Sequence, residues 1–207
     1  MKRFTTILLL ITVFLIPSFA DDISFSGGYT KVNLQQDNKS VILSGGAIVT
    51  TKDIYLEASS ITLYGQDYCY VKAEGNVKAS LEEQGISLSC PAIFYDRTEG
   101  RLTSDSWIEI QDINNEASLS GAWFEYDMNA SLIKMQMMAT ITKVTDEGLM
   151  KCQADSIEFD MENKIVTLKG MANVQWNNDS YNASIIVVNL DTNAITMHGS
   201  LTGPVNG

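Results

Sequence analysis

Apolar and polar positions along the chain alternate in a pattern that returns about every thirty residues. Ile54-x-Leu56-x-Ala58-x-x-Ile61-x-Leu63 reappears as Ile86-x-Leu88-x-Cys90-x-x-Ile93-x-Tyr95 and as Ala117-x-Leu119-x-Gly121-x-x-Phe124-x-Tyr126. A fourth copy is Met150-x-Cys152-x-Ala154-x-x-Ile157-x-Phe159, and a fifth, without its first apolar position, is Tyr181-x-Ala183-x-x-Ile186-x-Val188. A weaker opening copy is Phe25-x-Gly27-x-Tyr29-x-x-Val32-x-Leu34. Anchors at 32, 61, 93, 124, 157 and 186 are 29, 32, 31, 33 and 29 residues apart. Alternation of period two predicts strands with one buried face. The x-x step after a small residue shifts the parity once, as a bulge or corner does, so the apolar side chains stay on the inner face while the strand bends.

Asp96, Asp127 and Asp160 follow their anchors directly, where a turn is expected. Asn114-Asn115, Asp146 to Gly148 and Asn177 to Asp179 are also expected to be turns. A second alternating strand then returns, visible in Val41-x-Leu43-x-Gly45, Val166-x-Leu168-x-Gly170 and Ile195-x-Met197-x-Gly199. The predicted unit is strand, corner, turn and a return strand closing in Gly. Such a unit cannot bury its apolar face alone and must stack on its neighbours. Two apolar rows are expected to run down the stack. One contains Leu63, Tyr95, Tyr126, Phe159 and Val188, the other Ile61, Ile93, Phe124, Ile157 and Ile186. The periodicity alone fits both a filled solenoid core and an open trough.

Composition narrows the function. The formal charge of −11 excludes a nucleic-acid partner, because phosphate binding needs a cationic face. A single histidine, His198, rules against histidine-centred catalysis and multi-histidine metal sites, and its parity places it on the surface. Cys69, Cys90 and Cys152 have no zinc-ligand spacing, and an odd number leaves at least one unpaired or paired between chains. The repeat makes Cys90 and Cys152 buried small hydrophobes. Residues 1–20 read as a secretory signal. Lys2 and Arg3 precede the apolar run Ile7 to Ile16, and Pro17 and Ser18-Phe19-Ala20 lead to a cut before Asp21. The apolar run is short of the roughly 20 residues that span a bilayer. Residues 21–207 are then one domain, ending in a frayed tail at 203–207, with export as the expected fate.

The stretch Cys152-Gln-Ala-Asp-Ser-Ile-Glu-Phe-Asp-Met-Glu-Asn-Lys-Ile-Val-Thr-Leu-Lys-Gly170, continued by Tyr181-Asn-Ala-Ser-Ile-Ile-Val-Val-Asn-Leu-Asp-Thr-Asn-Ala-Ile-Thr-Met-His-Gly199, resembles the LptA/OstA family of periplasmic lipopolysaccharide-transport bridge proteins. The resemblance runs from about Phe25 to Gly199. It implies an all-β fold, a repetitive antiparallel β-jellyroll that is slightly twisted and open along one seam. It also implies a periplasmic carrier whose inner face holds acyl chains of lipopolysaccharide or another acylated envelope glycolipid. The resembling proteins stack edge to edge, with one another and with OstA-like domains of inner- and outer-membrane transport proteins. The acidity of this chain departs from that pattern, since no basic rim is available for lipid phosphates.

On this reading the lipid-binding residues are Ile61, Leu63, Ile93, Tyr95, Phe124, Tyr126, Ile157, Phe159, Ile186 and Val188, with no cofactor and no metal. Met135 and Met137 are expected to alternate inward as adaptable lining, in preference to a soft-metal site. The recurrent aspartates occur once per repeat, whereas a catalytic carboxylate pair occurs once per protein, and no nucleophile elbow is present. No enzyme is expected. The alternatives are an inner-membrane-anchored partner of the same pathway that keeps its N-terminal segment, a structural solenoid with a filled core, and a polysaccharide-active β-helix enzyme. The terminal strands lack internal Pro and runs of Lys, so head-to-tail self-association through unpaired edges is expected.

Overall fold

The structure is a computed structural model that describes residues 23–34 and 39–199; the candidate signal at 1–20 and the tail at 203–207 lie outside the described residues. Fifteen strands are present among the described residues. The first half comprises β1 (Ser24–Ser26), β2 (Tyr29–Asn33), β3 (Ser40–Thr50), β4 (Tyr55–Tyr64), β5 (Tyr70–Leu81) and β6 (Ile86–Asp96). The short strands β7 (Arg101–Ser104), β8 (Ile108–Asp112), β9 (Ala117–Gly121) and β10 (Trp123–Asp127) follow. The second half comprises β11 (Leu132–Thr145), β12 (Gly148–Asp160), β13 (Ile165–Trp176), β14 (Asp179–Asn189) and β15 (Ile195–His198). One 3₁₀ turn, Gln66–Tyr68, interrupts the pattern, and no described helix is long and apolar enough to cross a membrane.

All pairings are antiparallel, and all strands join one continuous sheet that follows the chain order, as expected for stacked hairpins. One face of this sheet is buried in every repeat, and no helix among the described residues covers it. A sheet in that position must fold on itself. The fold line is the predicted corner. Ser44 pairs with Ser60 and Ala47 with Ala58, so Gly45 and Gly46 oppose Ser59 alone. Likewise Gly75-Asn76 oppose Pro91, Met137-Met138 oppose Asp155, and Gly170-Met171 oppose Ser184. Pro91 stands on the one-residue side of its bulge, outside the ladder pairs, where a missing N–H costs no ladder bond.

The corner is made by both strands. On the forward strand β9, Gly121 leaves room for Met135, whose Cγ a Cβ there would meet at 2.5 Å. On the return strand two successive residues take positive φ, for example Gly75 at 82° and Asn76 at 51°. A Cβ on Gly75 would also come within 2.8 Å of Ser59. The predicted unit is corrected here. Gly45 and Gly170 do not close the return strand; they turn it, and β3 runs on to Thr50 and β13 to Trp176.

The expected turns are present. Asp96 Oδ1 accepts the N–H groups of Thr98 and Glu99, Asp127 Oδ1 that of Ala130, and Asp160 Oδ1 that of Asn163, at 2.9–3.1 Å. These are Asx turns in which a carboxylate stands in for a backbone acceptor. The turns also stack. The N–H groups of Arg97, Met128, Met161 and Leu190 donate to the carbonyls of Cys69, Gly100, Ser131 and Lys164 at 2.8–3.0 Å. Among the described residues no strand pairing joins this row of turns to the row at the other end of the strands. Among the described residues, backbone pairing therefore runs through the corner and none crosses the opposite seam.

Candidate functional site

Register builds the inner face directly, because directly paired residues in a sheet point the same way. One row runs Val32, Val41, Leu63, Val71, Tyr95, Leu102, Tyr126, Ile133, Phe159, Val166, Val188, Ile195, each the ladder partner of the next. At about 4.8 Å per strand its length is roughly 50 Å. The second row carries Leu43, Ile61, Ala73 and Ile93 on one side, then Phe124, Met135, Ile157, Leu168, Ile186 and Met197 on the other.

All ten residues expected from the sequence to line the interior lie in these two rows, and each is at most 2% exposed. They share one core with the inward residues of the other half-sheet, such as Leu56, Leu81 and Leu88. The residues missed as lining are the return-strand partners Val71, Leu102, Ile133 and Val166. Each sits between two predicted residues. Their signal is the alternation of the return strands, present at Val71-x-Ala73, Ile133-x-Met135 and Val166-x-Leu168.

Met135 is buried as expected, but Met137 is not inward. Met137 and Met138 form a corner, at φ 59° and 61°, and are 55% and 77% exposed. The corner resets the alternation, so counting by twos from Met135 points Met137 the wrong way. His198 is exposed, as its parity predicted. Asp112 was also missed: it ends the inward series Ile108, Ile110, Asp112 and is buried. Both its oxygens are occupied by Asn115, Oδ1 by the backbone N–H at 3.1 Å and Oδ2 by Nδ2–H at 2.7 Å.

The chemistry of this interior is apolar. Burial pushes the Cys152 thiol up to about 12 and the Cys90 thiol up to about 11, so neither is a thiolate at neutral pH. Burial, with Asp112 and Asp127 nearby, pushes the Tyr126 hydroxyl up to about 12. All three cysteines are free, Cys69 half-buried beside the seam. No group of three or more His, Cys, Asp or Glu among the described residues could hold a metal ion. The seam is lined by one turn position used four times: Arg97 Nη1 donates to the carbonyls of Asp67 and Tyr68, Met128 and Met161 pack against the core, and Leu190 is buried.

A repetitive antiparallel sheet, folded at a line of bulges around two apolar rows and, among the described residues, unpaired along one seam, defines an all-β fold of the β-jellyroll type. The chain belongs to the family described as LptA/(LptD N-terminal domain) LPS transport protein, which matches residues 30–194. Members of this family are transport proteins, and the chain is accordingly a component of lipopolysaccharide transport. Among solved structures the chain is similar to LptH of Pseudomonas aeruginosa, the LptA homologous periplasmic component of the lipopolysaccharide transport device. The identity is 10% and the TM-score 0.29, over 90% of this chain and 96% of that one. No curated protein matches the chain.

Proposed function

We propose that this protein is a periplasmic carrier whose two inner rows receive the acyl chains of lipopolysaccharide or a related envelope glycolipid, admitted along the seam. The observation that carries this reading is the unbroken apolar row from Val32 to Ile195, bordered by a seam that no strand pairing crosses among the described residues. A chain sliding into the interior exchanges side-chain contacts for acyl contacts, with each buried CH₂ contributing about 0.8 kcal/mol. Binding then rests on acyl chains, in keeping with an acidic chain that offers lipid phosphates little attraction. The candidate signal at 1–20 supports export. A mature N-terminus at Asp21, measured by mass spectrometry, supports the soluble carrier, and retention of residues 1–20 supports the anchored partner of the same pathway.

The ends of the stack support head-to-tail assembly with copies of itself and with OstA-like domains at either membrane. At the N-terminal end Phe25 and Val32 share the inner face with Val49 and Val41 yet are 43% and 52% exposed, and Leu34 beside them is 72% exposed. At the other end Ile195 and Met197 are half-buried on β15. A terminal strand of another copy would cover such a face and extend the sheet along its edge.

A second reading, a structural solenoid with a permanently filled core, is favoured by the near-complete burial of both rows. One experiment separates the two. A photo-crosslinking residue at Phe159 is expected to capture lipid in cells, while the same residue at the outward Glu158 is not. Capture at neither position supports the filled solenoid; equal capture at both removes the interior as the site.

A further inference from the structure

The outer surface carries an irregularity that the transport reading does not use. Return strands β3, β5, β11 and β13 pass through the corner unbroken, but the third return strand is broken by Asp105-Ser106-Trp107 between β7 and β8. Its neighbour is broken at the same level by Ala122, whose N–H turns to the carbonyls of Gln136 and Met137. The break is pinned: Ser104 Oγ donates to the Ala92 carbonyl at 2.8 Å, lies 2.9 Å from Ser106 Oγ and accepts the Ser106 N–H.

Two grooves flank this break on the outside of the sheet. One, of about 520 Å³, is lined by Tyr64, Phe94 and Trp123 together with Lys72, Thr103 and Asp105. The other, of about 530 Å³, runs along Trp107 between Lys78 and Glu109. Both volumes fall in the range of small-ligand sites, roughly 300–1,000 Å³. The rings form a connected strip, with Tyr64 and Tyr70 centroids 5.4 Å apart and Tyr70 and Phe94 5.8 Å apart. Trp107 is 43% exposed, its Nε1–H donating to Glu109 Oε1 at 3.4 Å. Thus two of the three tryptophans in the chain stand at the surface where the repeat is broken.

We propose that this broken corner is a binding site for an oligosaccharide. Flat aromatic faces set among hydroxyls and charges suit a ligand with apolar C–H faces and polar edges, which describes a sugar ring. Lys72 is already paired with Glu74 at 2.8 Å, leaving Asp105 at the first groove, and the second carries Lys78 and Glu109; with no excess of cations at either, a neutral polar ligand is favoured over a polyanion. A peptide strand is disfavoured because the backbone beneath Phe94 is already paired, Phe94 with Thr103. An acyl chain is disfavoured because charged side chains, Lys72 and Asp105 in one groove and Lys78 and Glu109 in the other, line both grooves.

The site is independent of whether the interior carries lipid, and its test uses ligands without acyl chains. Two probes distinguish the source of the sugar: lipid-free oligosaccharide released from envelope glycolipid by mild acid, and an N-acetylglucosamine tetramer as a cell-wall glycan. Saturable binding of either, by saturation-transfer NMR and tryptophan fluorescence on the full mature chain, is the expected result; the probe that binds identifies the source. Trp123→Ala and Trp107→Ala should each weaken binding about tenfold, as truncation of an aromatic anchor does. Trp123→Phe should retain most of it. Circular dichroism of the exposed-site variant Trp107→Ala checks that the fold survives, so a loss there reports on the site. Saturable binding of neither probe, or binding that persists undiminished in both Ala variants, would overturn the proposal, whatever crosslinking at Phe159 finds.

Discussion

The middle of the stack and its N-terminal end are written in the same alternating pattern and meet opposite fates. Phe159 and Val32 stand in one ladder row, yet Phe159 is fully buried and Val32 is 52% exposed. Phe159 has strands on both sides, β11 and β13 flanking β12, whereas among the described residues β2 pairs only with β3. Burial in this fold is conferred by the next repeat, so the end keeps an exposed apolar face and, among the described residues, no further strand beside it. A repeat architecture is closed in the middle and adhesive at its ends for one reason.

The sharpest way to break this comparison is to truncate both positions. Phe159→Ala should lose about 3–5 kcal/mol in chemical denaturation, from lost transfer and a residual cavity, while Val32→Ala should lose less than about 1 kcal/mol. Equal losses would mean that the N-terminal end is already covered in solution.

Alkaline titration probes the same middle region. Cys152 ionises near 9.0 when unfolded and near 12 when folded. The unfolded state therefore releases its proton first as pH rises. Stability is fully present below about pH 9 and falls between about 9 and 12, by about 1.4 kcal/mol per pH unit for this thiol. Cys90 and Tyr126, raised to about 11 and about 12, steepen the fall. Cys152→Ala should flatten it in urea melts across that range. Below pH 9 an alkylating reagent should label half-buried Cys69 well before the other two.

At the end, Val32→Asp should weaken self-association about tenfold or more in sedimentation while leaving monomer stability nearly unchanged. Raising ionic strength should strengthen association of the unmodified chain by screening its negative charge. A strict monomer at high concentration and high salt would remove the end as an interface.

A smaller effect is expected at the corners. Met137-Met138 is the one doubled corner of those described above that lacks a glycine, and a left-handed side-chain residue costs about 1–2 kcal/mol. Met137→Gly should stabilise by about 0.5–1 kcal/mol in thermal melts, after the entropy cost of glycine. The smallest effect belongs to the exposed pair Lys164–Asp191, 2.7 Å apart across stacked turns. Lys164→Ala should change stability by less than about 1 kcal/mol, less still in salt.

The sequence by itself determined the strands, the corners, the Asx turns and the parity of all ten inward residues, because each depends on local periodicity and turn chemistry within one repeat. Alternation also marked Cys90 and Cys152 as core. It misplaced Met137, because the left-handed pair inside a corner resets the count and nothing local distinguishes it from strand. It read Gly45 and Gly170 as strand ends for the same reason. Tertiary structure alone decided which inward residues stay exposed, since that depends on whether a further repeat lies alongside. It also decided which tryptophans gather outside: Tyr64, Phe94 and Trp123 lie some thirty residues apart in the chain and become neighbours only when successive hairpins pair. Strand stacking converts a separation of one repeat into a distance of one or two strand spacings, and no single repeat contains that information.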